Sequence, residues 1–288
     1  MSGNDVLLAA EQIEFAYNGH AVLHEVDVAL ARGDLVALLG PNGSGKTTLL
    51  KILCGILPLR AGRVTLDARD LAARHRRDVA RRIALVPQEL NVPFAFTVRE
   101  VVALGRTPHI RPLLGETRRD REAVERALEL TATRALADRY FADLSGGERQ
   151  RVVIAMALAQ IADSAHSNGA SAVLLLDEPT VHLDINHQIE VLELIERLNR
   201  EKGSTVLATM HDLNLAALYF DRLILLNEGR IVTQGTAREV LSKERVENVF
   251  GAQVLVESHP TRADAPHIVL MPGNGNGKGK LRAEPGNT

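Results

Sequence analysis

The sequence predicts an α/β fold with a mainly parallel sheet, an antiparallel β subdomain at its N-terminal end and an inserted α-helical subdomain. Three observations carry this. Short apolar runs alternate with helical patterns, the order expected of parallel strands joined by crossover helices. Before residue 31, "AAEQIEFAY" and "VLHEVDVAL" alternate apolar and polar residues, as half-buried antiparallel strands do. Between Pro87 and Asp143 the strand signal disappears and helical patterns dominate.

Strands of the central sheet are expected at Leu35–Leu39, Ile83–Val86, Val173–Leu176, Thr205–Thr209 and 223–226. Helices are expected over 46–55, 117–131, Gly146–Ile161, 185–201 and Leu213–Tyr219. The most apolar stretch, 152–162, is flanked by Arg151 and Asp163. It falls short of the ~18 residues a membrane span needs and reads as a buried helix. Residues 162–172 are small and polar, as in a surface loop, and 251–272 form a short extension with two weak strands, "QVLVES" and "HIVLMP". The segment 273–288 has too few apolar residues to bury a core and is expected to be disordered.

The 288 residues suffice for one large domain or two small ones, and a net charge of −2 gives no overall footprint for nucleic acid. The opening "MSGNDVLLAAEQIE" lacks the basic region and apolar core of a secretory leader. Cys54 stands alone among Ile52, Leu53, Ile56 and Leu57, where a small buried hydrophobe is expected.

After the first central strand comes Gly40-Pro41-Asn42-Gly43-Ser44-Gly45-Lys46-Thr47-Thr48. This is the Gly-x-x-x-x-Gly-Lys-Thr phosphate-binding pattern, with a strand before it and a helix after. Glycines let successive backbone N–H groups converge on phosphate oxygens, and the helix turns its positive end to the same anion. Lys46 is placed to reach the β- and γ-phosphates and the Thr47 hydroxyl to ligate Mg2+. The core is therefore expected to be a P-loop NTPase. "VLLLDEPT" supplies Asp177 at a strand end for the Mg2+ shell and Glu178 beside it to polarise an attacking water. In "LSGGERQR", Ser145, Gly146 and Gly147 make a second anion-facing helix start. One chain has little use for two such ends far apart in sequence. Two chains facing head to tail do, each loop meeting the other's Ser-Gly-Gly turn with the nucleotide between.

Occurring together and in this order, the motifs make the chain resemble the ATP-binding subunits of ABC transporters, up to about Pro272. The resemblance implies ATP as the nucleotide and a nucleotide-binding domain over 1–250, with its helical subdomain at about 88–165. It implies that Tyr17 in "FAYNG" stacks on adenine. Gln88 in "LVPQE" would touch Mg2+ and the nucleophilic water and sense a transmembrane partner. Asp184 in "VHLD" would link the two subunits, and His211 in "ATMHDLN" would sit at the γ-phosphate. Val181 stands where the family usually has a small polar residue, which bears on one cross-subunit hydrogen bond and not on catalysis.

"FTVREVVALGRTPH", "HLDINHQ" and "MHDLNLAALYFDR" further resemble the ATPases of importers for iron–siderophore complexes, haem and cobalamin. The expected function is ATP hydrolysis at a head-to-tail dimer interface, powering membrane import of an iron complex (siderophore or haem) or cobalamin. The expected partners are a second copy, integral membrane permease subunits and, indirectly, a substrate-binding protein, with no nucleic acid. The expected place is the cytoplasmic face of the inner membrane, peripherally attached. The ten histidines show no metal-ligand spacing, so the ligand is expected to pass through the permease. The alternative is a soluble ABC-type ATPase in iron–sulfur assembly or another non-transport role, which shares every catalytic motif. From Gln88 to Ser145 is about 57 residues, too short for the long coiled-coil insertion of DNA-repair members. A single phosphate loop excludes the tandem translation factors. Glu178 argues against a third class, a nucleotide sensor without hydrolysis.

Overall fold

The computed structural model describes residues 6–90, 92, 95–110, 115–163 and 171–272. Most of the expected 162–172 loop and the whole 273–288 tail lie outside them. Strands β1 (Val6–Tyr17) and β2 (His20–Ala31) form an antiparallel hairpin. With β4 (Ala61–Leu66) and β5 (Arg69–Asp70) they make a four-stranded sheet in the order β2-β1-β4-β5. The second sheet contains β3 (Leu35–Leu39), β6 (Ile83–Val86), β7 (Val173–Leu176), β8 (Thr205–Thr209), β9 (Arg222–Asn227) and β10 (Arg230–Gly235). Its order is β10-β9-β3-β8-β7-β6, parallel throughout except where β10 pairs with β9.

Helix α1 (Lys46–Leu53) follows β3, and α2 (Arg76–Ala80) precedes β6. Between β6 and β7 lie α3 (Val98–Leu104), α4 (Arg118–Leu130) and α5 (Gly146–Ile161). Then come α6 (Ile185–Lys202), α7 (Leu213–Tyr219), α8 (Ala237–Val240) and α9 (Lys243–Phe250). The hairpin of β11 (Val254–Ser258) and β12 (Pro266–Leu270) forms a sheet of its own. It is tied to α7 by a reciprocal pair of hydrogen bonds between Asn214 and the backbone of Ile268. Among the described residues no helix is long and apolar enough to cross a membrane.

β3 divides two cores. Its side chains alternate with period two. Leu35, Ala37 and Leu39 pack with α3, α4, α5 and α6, while Val36 and Leu38 pack with α1 and the antiparallel sheet. β3 is buried on both faces and apolar at every position, which is why its bounds are legible as a run. α1 stops at Leu53, two residues before the expected end. Gly55 takes a left-handed φ of 73° and returns its N–H to Ile52, closing the helix early. Cys54 is half-buried rather than buried, and its thiol lies against the carbonyl of Lys51. Burial still pushes that thiol up to about 11, which makes it a poor nucleophile.

Three half-buried or buried carboxylates pin elements together. Asp67 bonds Arg32 and Arg82, Asp120 caps α4 and bonds Arg106, and Asp163 bonds Arg106 and Arg119. Burial pushes each carboxyl up, but hydrogen bonds and guanidinium charge outweigh it and hold all three below the usual range. Their contribution to stability is therefore complete above about pH 5 and lost as pH falls through ~3.9 toward the lower folded values. Urea unfolding at pH 5, 4 and 3 should show a fall in stability below pH 4, shallower in Asp67→Asn. A flat profile to pH 3 would contradict it.

Candidate active site

The turn between β3 and α1 is built on glycines that nothing larger could replace. Gly40 has φ 154°, and a Cβ there would lie 2.0 Å from the carbonyl oxygen of Leu226. Gly45 has φ 104° and would drive a Cβ to 2.7 Å from Leu23. The chain is thereby folded back on itself, and Lys46 Nζ donates to the carbonyls of Gly40 (2.8 Å) and Pro41 (3.0 Å) within the same loop. Lys46 is only 5% exposed. Burial pulls its pKa below the ordinary lysine value, against the opposing charges of Glu178 and Asp177. Asn42 and Gly43 lie at the exposed rim, and Thr48 is buried in the first turn of α1. The buried hydroxyl of Ser44 has no hydrogen-bond partner. An orphaned hydroxyl in a glycine loop at a helix N-terminus suits a phosphate oxygen.

The strand ends bring the acids to the same place. Asp177 follows β7, is 5% exposed, and accepts from Thr47 Oγ1 at 3.1 Å and Thr209 Oγ1 at 3.0 Å. Thr47 and Asp177 thus pair two hard oxygens beside the phosphate loop, a donor set that fits Mg2+. Glu178 has φ 52°, a left-handed backbone uncommon for a non-glycine residue. Its N–H donates to Thr209 Oγ1 at 2.7 Å. Its carboxylate is held at both ends, Oε2 by Gln88 Nε2 at 2.8 Å and Oε1 by His211 Nε2 at 2.5 Å. A cavity of about 790 Å3 opens here, lined by Gly45, Lys46, Thr47, Gln88, Glu178 and His211, with Val22 and Val181 as apolar walls. A phosphate-binding loop, the Thr47 hydroxyl backed by Asp177, and a carboxylate held at both oxygens therefore meet at one space.

Over residues 23–181 the chain matches the family model described as ABC transporter. The chain belongs to the ABC transporter family. It is 42% identical to the "Ferric enterobactin transport ATP-binding protein FepC" of Escherichia coli (strain K12), over 92% of this chain and 94% of that one. It is 44% identical to the "Hemin import ATP-binding protein HmuV" of Pseudomonas entomophila (strain L48), over 89% of this chain and 97% of that one. Among solved structures it resembles an inward-facing metal-chelate type ABC transporter, with a TM-score of 0.79 and 29% identity, over 93% of this chain and 98% of that one.

In this ABC subunit the remaining sequence-predicted residues form a second group. Ser145 caps α5 in a reciprocal capping box with Glu148. A Cβ on Gly146 would touch Leu183, and one on Gly147 would lie 2.2 Å from His187. Asp184 caps α6 and bonds the His187 ring at 2.8 Å. The Ser-Gly-Gly turn and the Asp184 loop are therefore side by side, and none of these residues lines the cavity at Lys46. Tyr17 sits at the end of β1, 44% exposed and edge-on to Phe15, and does not line it either. Sequence reasoning missed Thr209, whose buried hydroxyl joins Asp177 to the Glu178 backbone. Its only sequence signal is its place at the end of β8, two residues before His211.

Proposed function

We propose that this chain is the ATPase subunit of a membrane importer for an iron complex, siderophore or haem, or for cobalamin. The carrying observation is the convergence of Lys46, Thr47, Gln88, Glu178 and His211 on one cavity, with Asp177 bonded to Thr47 behind it and the Ser145 turn outside it. A site with half of its anion-facing parts elsewhere is completed by a second copy placed head to tail. ATP would lie between the loop of one chain and the Ser145–Gly146–Gly147 turn of the other, with Tyr17 against the adenine and Asp184 at the subunit contact. Thr47 and Asp177 would hold Mg2+, with Gln88 in reach, and the ion supplies charge neutralisation at the β- and γ-oxygens.

The residues of this chain then divide the work. Lys46 and the loop amides hold the phosphates. Glu178 takes the proton from the attacking water, which must enter between its carboxylate and the Gln88 and His211 groups now bonded to it. His211 orients that water and the γ-phosphate. Phosphoryl transfer needs mainly positioning and electrostatic stabilisation, so these contacts suffice. Closure on ATP and opening after hydrolysis make the dimer a two-state element that a permease can use. Names of relatives at 42% and 44% identity specify different iron-bearing ligands, ferric enterobactin and hemin. A relative at 42% identity over 84% of this chain is named as a cobalamin import ATP-binding protein, so the ligand class stays iron complexes or cobalamin.

The test is affinity purification of this chain from detergent-solubilised native membranes, with mass spectrometry of what accompanies it. A multi-span permease at near-equal amount is expected. Iron–sulfur assembly proteins with no permease would overturn the transport reading while leaving the ATPase chemistry standing.

A further inference from the structure

Arg106 is the largest fully buried side chain among the described residues, at 1% exposure, and it touches nothing in the nucleotide cavity. Its guanidinium is shared among three residues on α4 and the end of α5. Nε and Nη2 each lie 2.9 Å from Asp120 Oδ1, Nη1 donates to the carbonyl of Ala159 at 2.7 Å, and Nη2 donates to Asp163 Oδ2 at 2.8 Å. Asp120 uses its other oxygen to cap α4, accepting from the Thr117 N–H and hydroxyl. Ala159 lies in the last turn of α5 and Asp163 two residues beyond its end. Next to Arg106, Gly105 brings its backbone so close to α5 that a Cβ would lie 2.1 Å from the carbonyl of Met156.

The same segment is held from the other side. Arg77 on α2 donates to the carbonyls of Pro108 and Ile110, and Arg81 donates to Pro108 at 3.0 Å. His109 Nε2 donates to the carbonyl of Gln160 at 2.7 Å, and Gln160 Nε2 donates to Ala80 and Ile83 at 2.7 and 3.1 Å. Residues 105–110 are therefore a strut between α2 and the end of α5. The rest of α5 packs through Val152, Val153, Ile154, Ala155, Ala157 and Leu158, apolar contacts that carry no directional bond. Directional bonds to a buried, charge-balanced guanidinium fix register where apolar contacts do not.

We propose that Arg106 is a positioning residue for the ATPase reaction. It fixes the C-terminal end of α5 and, along about 24 Å of helix, sets where the Ser145 turn stands when it meets the second chain's nucleotide. This rests on the head-to-tail dimer proposed above. The planar fork matters as well as the charge, so lysine cannot replace it.

The test uses the full chain in the Glu178→Gln background, with Arg106→Gln, Arg106→Lys and Asp163→Asn added singly. A fluorescent ATP analogue reports nucleotide affinity at protein concentrations where the chain is monomeric. Sedimentation velocity with MgATP gives the protein concentration at half dimerisation. Both Arg106 variants should keep analogue affinity within about twofold while the dimer midpoint rises about tenfold, a size usual for residues that couple sites without touching a ligand. Asp163→Asn, which removes one arm, should shift the midpoint less. An unchanged midpoint, full recovery by lysine, or an equal loss of analogue affinity would overturn the role. If the Arg106 variants lose their cooperative melt, Asp163→Asn decides: a raised midpoint supports the role and an unchanged one overturns it. A Glu178→Gln parent that stays monomeric with MgATP would overturn the dimer reading itself, and with it the use assigned to α5.

Discussion

Glu178→Gln should abolish nearly all turnover and leave nucleotide binding intact. The substitution preserves shape, so the space between Gln88 and His211 is filled as before. What it removes is the proton acceptor. General-base contributions are worth roughly 10²–10⁴-fold, and kcat should fall by about 10³. Lys46 and the loop would carry the phosphates and Glu178 lines the same cavity, so analogue affinity should hold or tighten as a negative charge leaves it. With hydrolysis blocked, the ATP-closed dimer should accumulate and be separable by gel filtration with MgATP. Wild-type turnover in this variant would refute the assigned role. A silent variant that also fails to bind would point to a folding defect at the strained backbone, where Glu178 has φ 52° and donates its N–H to Thr209.

The central strands and the phosphate loop were legible because each is governed by one strong local rule. β3, β6, β7 and β8 are buried on both faces, so apolar runs mark their ends. The elements that escaped are those with one face in water. β4 is exposed over Ala61, Gly62 and Arg63, and β10 alternates exposed and half-buried positions at the sheet edge. α2, in "RHRRDVARR", is mostly charged and buries only Val79. Its arginines look like a solvated run until the fold shows two of them bonded to the backbone of Pro108 and Ile110.

The site divides in the same way. Lys46, Thr47, Asp177 and Glu178 stand in motifs whose spacing carries the chemistry. Thr209 and Arg106 act through partners 31 or 32 and 14 to 57 residues away, and no local pattern encodes such pairings. Gln88 and His211 lie between these cases. Each follows a strand, but only the folded sheet shows them bonded to the two oxygens of one carboxylate.

Lys46→Ala should cost ATP affinity rather than fold. Among the described residues Nζ bonds the carbonyls of its own loop, Gly40 and Pro41. Those carbonyls can turn to water or tolerate one lost donor, so the stability loss should be about 1 kcal/mol. With nucleotide bound, the same ammonium, itself only 5% exposed, would meet two phosphates. Charge-assisted bonds of this kind are worth roughly 1.5–3 kcal/mol each, which sets the expected fall in ATP affinity at about 100-fold. Lys46→Arg should not restore it, because a planar fork cannot replace the point charge of an ammonium that bonds two carbonyls of its own loop. The loss should scale with phosphate number: large for ATP, small for AMP, absent for adenosine. Equilibrium titration of all three with both variants separates a phosphate grip from general damage. Equal losses for adenosine and ATP would mean that the cavity, not the lysine, had been disturbed. Unchanged ATP affinity would remove the phosphate loop from the assignment.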